Sequence, residues 1–182
     1  MSKFLNNVRK SSESFNALFA YKNNQFTTDG CRIHSIKSAF DYGQDVITLE
    51  GSPIHNCTSA ESFLNNDFSL TQACFFSLSK EEKKVLMHFL KSIEKQPDGV
   101  LVQVIASEIH FSYSDKNFNF EFKPWNSQVY VQNFEFRMDA KYFLDLISEN
   151  LEWYFEQEKQ NAPVFFRSQD GTKTAVICPL SE

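Results

Sequence analysis

The chain is poor in the residues that interrupt regular structure and in those that cross-link small domains. Its 182 residues include only 5 Gly and 5 Pro, which excludes a loop-rich or low-complexity scaffold. Its 4 cysteines, at positions 31, 57, 74 and 178, are scattered and do not indicate a disulfide framework. No stretch approaches the ~18 consecutive apolar residues of a membrane span, and the first residues lack the apolar run of a signal peptide. These absences predict a reduced, cytoplasmic protein.

Sequence motifs for catalysis are also missing. The chain has no Gly-x-Ser-x-Gly, no phosphate-binding glycine loop and no His-Glu-x-x-His. Cys31-x-x-His34 and His55-x-Cys57 offer zinc-ligand types, but their spacing is unlike that of a common structural finger. We therefore predict a protein that is not an enzyme and needs neither a cofactor nor a metal.

Aromatic residues are abundant, with 20 Phe among the 182 residues. Phe at strand alternation is usually core, and the 42% apolar content is enough to bury one. The formal net charge is -5 and the pI is about 5.4, so the molecule as a whole repels phosphate. Contact with nucleic acid would therefore need a local basic face.

The clearest predicted helix begins at Ser79 and runs to about Gln96. Ser79-Lys80-Glu81-Glu82 has the pattern of a capping box, and Pro97-Asp98-Gly99 ends the helix. A wheel of 100° per residue separates two sides of this helix. Apolar residues cluster on one side and lysines roughly opposite: Val85, Leu86, Phe89, Leu90 and Ile93 against Lys80, Lys84, Lys91 and Lys95.

A strand, helix and three-strand meander recur along the chain. After the first helix, strands are predicted at Val100–Ala106, Ile109–Tyr113 and Phe118–Lys123. The second copy is a strand at Phe134–Met138, a helix capped by Asp139, and strands at Leu151–Glu156, Val164–Arg167 and Lys173–Cys178. This helix should bury Tyr142, Phe143, Leu146 and Ile147.

The first 74 residues are predicted to be an abbreviated third copy. It would contain a helix at Lys3–Lys10, a strand near Phe15–Tyr21, a turn at Asn23-Asn24 and a strand from Phe26 onward. Residues 50 to 74 are predicted to be mainly loop, with a helical turn at Ser59–Leu64. The fold class is therefore α+β, with antiparallel sheets that carry helices on one face.

Two separated segments carry a resemblance to a known family. Phe26-Thr27-Thr28-Asp29-Gly30-Cys31-Arg32-Ile33 resembles the Ala-Thr-Asp-Gly-His-Arg-Leu stretch in the middle domain of the bacterial sliding clamp, the DNA polymerase III beta subunit. The final Ala175-Val176-Ile177-Cys178-Pro179-Leu180 resembles the end of the same family, Val-Val-Met-Pro-Met. The two segments flank the Phe76-Ser77-Leu78-Ser79 helix entry in the order that the family shows.

This resemblance implies a short, divergent member of the clamp family. Residues 1–126 would correspond to the middle domain, as two units at 1–74 and 75–126, and residues 127–182 to half of the last domain. A family member has three domains of two units each, and this chain has about three units. Cys31 stands where the family usually has His, and Ser181-Glu182 replaces a basic, apolar ending.

The resemblance also implies a peptide-binding pocket with two walls. An apolar groove with one guanidinium and a few backbone groups can hold the apolar anchors of a short linear peptide. Carried over by position, the pocket residues are Phe15, Thr28, Gly30, Cys31, Arg32 and Ile33 from one wall, and Val176, Cys178, Pro179 and Leu180 from the other.

The leading functional hypothesis is a clamp-like accessory protein of DNA replication or repair that binds peptide motifs of polymerases and other clamp partners. A homo-oligomeric ring on duplex DNA is a second hypothesis, with Lys80, Lys84, Lys91 and Lys95 facing the phosphates without reading sequence. The same lysines also fit the ordinary solvent side of an amphipathic helix. A third hypothesis is an interaction module, or a competitor of clamps, from a phage or mobile element.

Overall fold

The computed structural model describes residues 2–9, 17–49, 60, 63–64, 73–76, 78–105, 108–114, 116–121, 133–149, 151–156 and 162–180. The chain forms two compact units. The first consists of Met1–Phe68 with Arg167–Ile177, and the second of Ser69–Phe166 with Cys178–Glu182.

The first unit is an antiparallel sheet covered by one helix. Its strands are neighbours in the order β4-β1-β2-β3-β12, so a strand from late in the chain pairs with β3. Helix α1 packs on β2 and β3. The elements are α1 (Lys3–Arg9), β1 (Phe19–Tyr21), β2 (Asn24–Thr28), β3 (Arg32–Lys37), β4 (Ile47–Thr48) and β12 (Lys173–Ile177).

The core of the first unit lies on both faces of this sheet. On one face Phe19 stacks on its cross-strand partner Phe26, with ring centroids 5.3 Å apart. On the other face α1 buries its apolar side chains at helical spacing, Phe4, Leu5 and Val8. Side chains on both faces are buried here, so β2 is buried at every position from Phe26 to Thr28.

The second unit contains two helices and two groups of antiparallel strands. One sheet has the order β8-β7-β6-β9, and β11, β10 and β5 are neighbours in that order. The helices α2 and α3 pack against each other. The elements are β5 (Ala73–Phe76), α2 (Lys80–Ile93), β6 (Val100–Ile105), β7 (Glu108–Tyr113), β8 (Lys116–Glu121), β9 (Phe134–Met138), α3 (Ala140–Ile147), β10 (Leu151–Glu156) and β11 (Val164–Ser168).

Both helices of the second unit are capped as the sequence predicts. Ser79 Oγ accepts from the Glu82 amide at 3.2 Å, and the Ser79 amide donates to Glu82 Oε2 at 2.6 Å. At α3, Asp139 Oδ1 accepts from the Lys141 amide at 2.7 Å. These bonds satisfy first-turn amides that have no partner inside the helix.

The core of the second unit is built on stacked aromatic rings. Phe143 of α3 stacks on Trp153 at a centroid distance of 5.0 Å, and Phe111 meets both rings edge-on. Phe166 closes the cluster against Trp153 at 5.1 Å. The helices bury Leu86, Phe89, Leu90, Ile93, Ala140, Phe143, Leu146 and Ile147 around these rings.

The predicted α+β class and the repeated strand-helix-meander pattern are confirmed. Several details differ. Val85, predicted on the apolar side of α2, is 46% exposed because it lies at the rim of the buried stripe. The first strand begins only at Phe19, and Asn24 already belongs to β2 rather than to the turn. Strands β4 and β5 were not predicted.

Some predictions cannot be compared with the fold. The predicted helical turn at Ser59–Leu64 is described only at Ala60, Phe63 and Leu64, which are helical. Phe15, His55 and Cys57 lie outside the described residues. Among the described helices, none is long and apolar enough to cross a membrane. The division into two clamp-like domains at residue 126 stays a prediction.

Candidate functional site

The turn between β2 and β3 holds the first group of predicted pocket residues. Asp29 Oδ1 accepts from the amides of Cys31 at 3.1 Å and Arg32 at 3.0 Å. Thr28 Oγ1 donates to the Arg32 carbonyl at 2.8 Å and accepts from the Gly30 amide at 3.1 Å. Gly30 has a φ of 92°, a conformation that glycine adopts without strain. The backbone of this turn is therefore fixed, while Gly30 and Cys31 remain exposed.

Arg32 is buried beneath α1. Its Nε donates to Asp29 Oδ2 at 2.9 Å, and the side chains are 0% and 6% exposed. Its Nη2 donates to the Asn7 carbonyl of α1 at 3.4 Å. A buried guanidinium needs such partners because an unpaired charge is costly in the interior. The side chain that the sequence predicted as a charged group of the pocket thus ties the turn to the helix.

The register of the sheet separates Arg32 from its predicted neighbours. Thr28 pairs with Ile33, and Ile33 pairs with Val176 of β12, so these three side chains share one face. Since successive side chains of a strand alternate, Arg32 lies on the opposite face, under α1. Thr28, Ile33 and Val176 are 7%, 6% and 2% exposed.

His34 continues the face that α1 covers. Its ring stacks on Phe4 with centroids 4.5 Å apart, and its Nδ1 lies 2.8 Å from the Phe4 carbonyl. Burial lowers the pKa of His34 from 6.5 to about 3, outweighing the Phe4 hydrogen bond that raises it. The neutral ring therefore carries its proton on Nδ1 and donates to Phe4. Nε2 is buried without a partner among the described residues.

The second group of predicted pocket residues belongs to the second unit. Cys178, Pro179 and Leu180 are half-buried. The Leu180 amide donates to the carbonyl of Arg137 in β9 at 2.8 Å. This bond fixes the course of the segment at the edge of the β8-β7-β6-β9 sheet.

Three of the lysines predicted to face DNA lie on the outer side of α2, and Lys95 lies in the turn after it, because the helix ends at Ile93 and not near Gln96. Lys80, Lys84, Lys91 and Lys95 are all exposed, opposite the buried Leu86, Phe89, Leu90 and Ile93. The neighbouring α3 presents one exposed lysine, Lys141. Exposed lysines are thus more numerous on α2 and the turn after it than on α3, and Glu81 and Glu94 are exposed beside them.

Within the described ranges, no group of three or more His, Cys, Asp or Glu side chains is arranged to hold a metal ion. Cys31 is exposed in the turn, whereas His34 lies in the core of the same unit. Two further histidines lie in the second unit. His88 is exposed on α2, and His110 lies 3.1 Å from Glu108 on the open face of β7.

Sequence reasoning missed Asp29. Asp29 organises the turn, and its spacing of three residues before Arg32 is the signal that was available.

Comparisons of the fold point to a single class of protein. The DNA polymerase III subunit beta of Borrelia burgdorferi, in complex with a natural product, aligns with a TM-score of 0.67 over 98% of this chain at 12% identity. The beta sliding clamp of C. crescentus aligns with a TM-score of 0.67 over 99% of this chain at 10% identity. The Helicobacter pylori beta clamp bound to a DNA ligase peptide gives a TM-score of 0.62 over 98% of this chain at 8% identity.

The chain has the fold of the bacterial sliding clamp. The sequence-based expectation of a clamp fold is confirmed. No protein-family model matches the sequence, and no curated protein matches it. The chain spans 61% to 63% of the length of these three clamps. The clamp fold is shared at identities where side chains have largely changed, so the function of this chain must be argued from its own residues.

Proposed function

We propose that this chain is a clamp-like accessory protein of DNA replication or repair, which binds short peptide motifs of polymerases and other clamp partners. The observation that carries this proposal is the fixed β2–β3 turn, at the segment where the sequence resembles the clamp motif. The peptide-bound H. pylori clamp supports the proposal at the level of the fold. No catalytic role is proposed for any residue.

On the first unit, the proposed contact surface is the exposed turn at Gly30 and Cys31. The turn can offer acceptors through its carbonyls, because the Gly30 and Cys31 amides already donate to Thr28 and Asp29. Ile33 and Val176 are buried and support the turn from within the sheet. Arg32 does not belong to this contact surface. It is buried, and its ion pair with Asp29 holds the turn in position.

On the second unit, the proposed contact surface is Cys178, Pro179 and Leu180. These half-buried side chains are predominantly apolar and suit the aliphatic or aromatic anchors of a linear motif. Phe15 lies outside the described residues, so its predicted place in the pocket stays a prediction.

Fluorescence anisotropy with a labelled clamp-binding peptide tests the proposal. We expect saturable binding with a Kd on the order of 10 μM, typical of short linear motifs. Cys31→Glu and Leu180→Glu should each weaken binding roughly tenfold, since each places a charge on a proposed apolar contact surface. Phe40→Glu is the matched control, because Phe40 is 72% exposed and outside both surfaces. Absence of binding by the wild type would refute the proposal.

The exposed lysines of α2 favour a second candidate function. We propose that Lys80, Lys84, Lys91 and Lys95 contact duplex DNA without sequence preference, in a homo-oligomer that encircles it. Light scattering and retention on circular duplex at rising salt test this candidate. A monomer at micromolar concentration that shows no salt-sensitive retention would contradict this second candidate. Peptide binding would then be the one function proposed.

A further inference from the structure

We infer that Gly99 is the positioning residue for the C-terminal segment Cys178–Leu180. The inference concerns the second unit by itself. The predicted effect on peptide affinity rests on the function proposed above. The predicted effect on the position of Cys178–Leu180 does not.

Gly99 lies in the turn that leads from α2 into β6. It is buried, and its φ is 63°, a conformation that L side chains rarely adopt. A Cβ built on Gly99 would lie 2.5 Å from the Met138 carbonyl oxygen and 2.7 Å from Leu180 Cδ1. Both distances are too short for real contacts. The absence of a side chain at position 99 is therefore what admits Leu180 to this place.

Strand β9 also holds Leu180 in this position. Among the described strands, β9 lies at the edge of its sheet, and no described strand pairs with it on the side that faces away from β6. The Leu180 amide donates to the Arg137 carbonyl of β9 at 2.8 Å. Arg137 Nη1 in turn donates to the Asp98 carbonyl at 3.5 Å, next to Gly99 in the turn.

Two independent contacts thus converge on one residue. Leu180 is held through its backbone by β9 and through its side chain at Gly99. A side chain at position 99 would meet the Met138 carbonyl oxygen and Leu180 Cδ1 at the same time, so both would have to shift. Leu180 Cδ1 is the end of a flexible side chain, whereas the Met138 carbonyl belongs to the backbone of β9, whose neighbouring Arg137 carbonyl accepts the Leu180 amide. Gly99 would in this way control a proposed peptide-contact surface without touching the peptide.

Hydrogen exchange of the residue-180 amide, measured by NMR on the full chain, tests the inference. Gly99→Ala should accelerate this exchange by at least about tenfold, since the hydrogen bond to Arg137 opens when Leu180 is displaced. Gly43→Ala is the matched control. Gly43 has a φ of 91° but nothing within 4 Å of its built Cβ, so this variant shares the backbone strain and lacks the clashes with Met138 and Leu180.

A second variant keeps the test decisive if Gly99→Ala fails to fold. Leu180→Ala removes the side chain that packs at Gly99 and leaves the turn intact, so the amide at position 180 should again exchange faster. Exchange at the wild-type rate in either folded variant would overturn the inference. In the double variant, the two accelerations should be less than additive, because both remove the same contact.

Peptide affinity separates this inference from the proposed function. If the wild type binds peptide, Gly99→Ala should weaken binding by roughly the factor found for Leu180→Ala, and Gly43→Ala should not. If the wild type binds no peptide, the proposed function fails, while faster exchange at position 180 still supports the positioning role of Gly99.

Discussion

Arg32 and Asp29 form a buried ion pair, with Nε 2.9 Å from Oδ2, in the turn that the clamp-like motif forms. The pair joins the turn to α1 through the additional bond from Arg32 to the Asn7 carbonyl. Since the guanidinium lies under the helix, the charged residue of the motif serves the geometry of the turn. Its neighbours Gly30 and Cys31 are the exposed groups.

Asp29→Ala should therefore destabilise the protein strongly. It leaves the buried guanidinium without its counter-charge and removes the acceptor of two turn amides. We expect a loss of about 3 kcal/mol in the free energy of unfolding, measured by urea denaturation. Asp41→Ala is the matched control, because Asp41 accepts from the Gly43 amide in an exposed turn, and its loss should cost less than about 1 kcal/mol. Equal losses in the two variants would contradict the role of the ion pair.

His34 should make stability depend on pH in the acidic range. Its pKa is lowered from 6.5 to about 3 in the folded protein, so below about pH 6.5 only the unfolded state takes up the proton. The stability contributed by the neutral ring is present above that pH and is lost as the pH falls toward 3. The slope should approach about 1.4 kcal/mol per pH unit.

His34→Gln removes this titration while retaining a donor for the Phe4 carbonyl. We expect the variant to be less stable at pH 7.5 but to lose less of its stability between pH 6 and pH 5 than the wild type, as shown by urea denaturation at each pH. Parallel pH profiles would show that His34 is not the group responsible.

Ser79→Ala should destabilise the second unit by about 1 kcal/mol, because the capping box loses its side-chain acceptor for the Glu82 amide. Thermal unfolding followed by circular dichroism measures the change. Ser92→Ala on the same helix is the control. Its hydroxyl bonds to the Phe89 carbonyl inside the helix and caps no end, so we expect a smaller effect or none. A larger loss for Ser92→Ala would contradict the importance of the cap.

The lysines of α2 should govern any salt-sensitive binding to DNA. If they contact phosphates, each Lys→Gln substitution at 80, 84, 91 or 95 should reduce the slope of log K against log salt by about 0.9. Lys37→Gln, an exposed substitution in the first unit, provides the same change of net charge. A slope that falls equally for Lys37→Gln would indicate a general charge effect instead of a specific basic face.

The sequence predicted the second unit well because its signals are local. Capping residues at Ser79 and Asp139, helical spacing in α2 and alternation in the meander each act over a few residues. Strand β4 has two residues and is a strand because it pairs with β1. Two residues are too few to show a strand pattern in the sequence.

The candidate site was harder to predict for a related reason. Its residue types follow from the motif, but the face on which each side chain lies depends on the pairing of β2, β3 and β12. This register places Arg32 under α1 and Ile33 beside Val176. The contact between Gly99 and Leu180 joins residues far apart in the sequence and is visible only in the fold.

The most direct test of a peptide-binding role is to map the contact itself by NMR, from backbone amide shifts during titration with a clamp-binding peptide. We predict that the largest changes occur at Gly30, Cys31 and Leu180, on the two proposed contact surfaces. Saturating changes confined to other parts of the chain, or no changes at all, would contradict the proposal that this clamp fold binds peptides through the β2–β3 turn and the C-terminal segment.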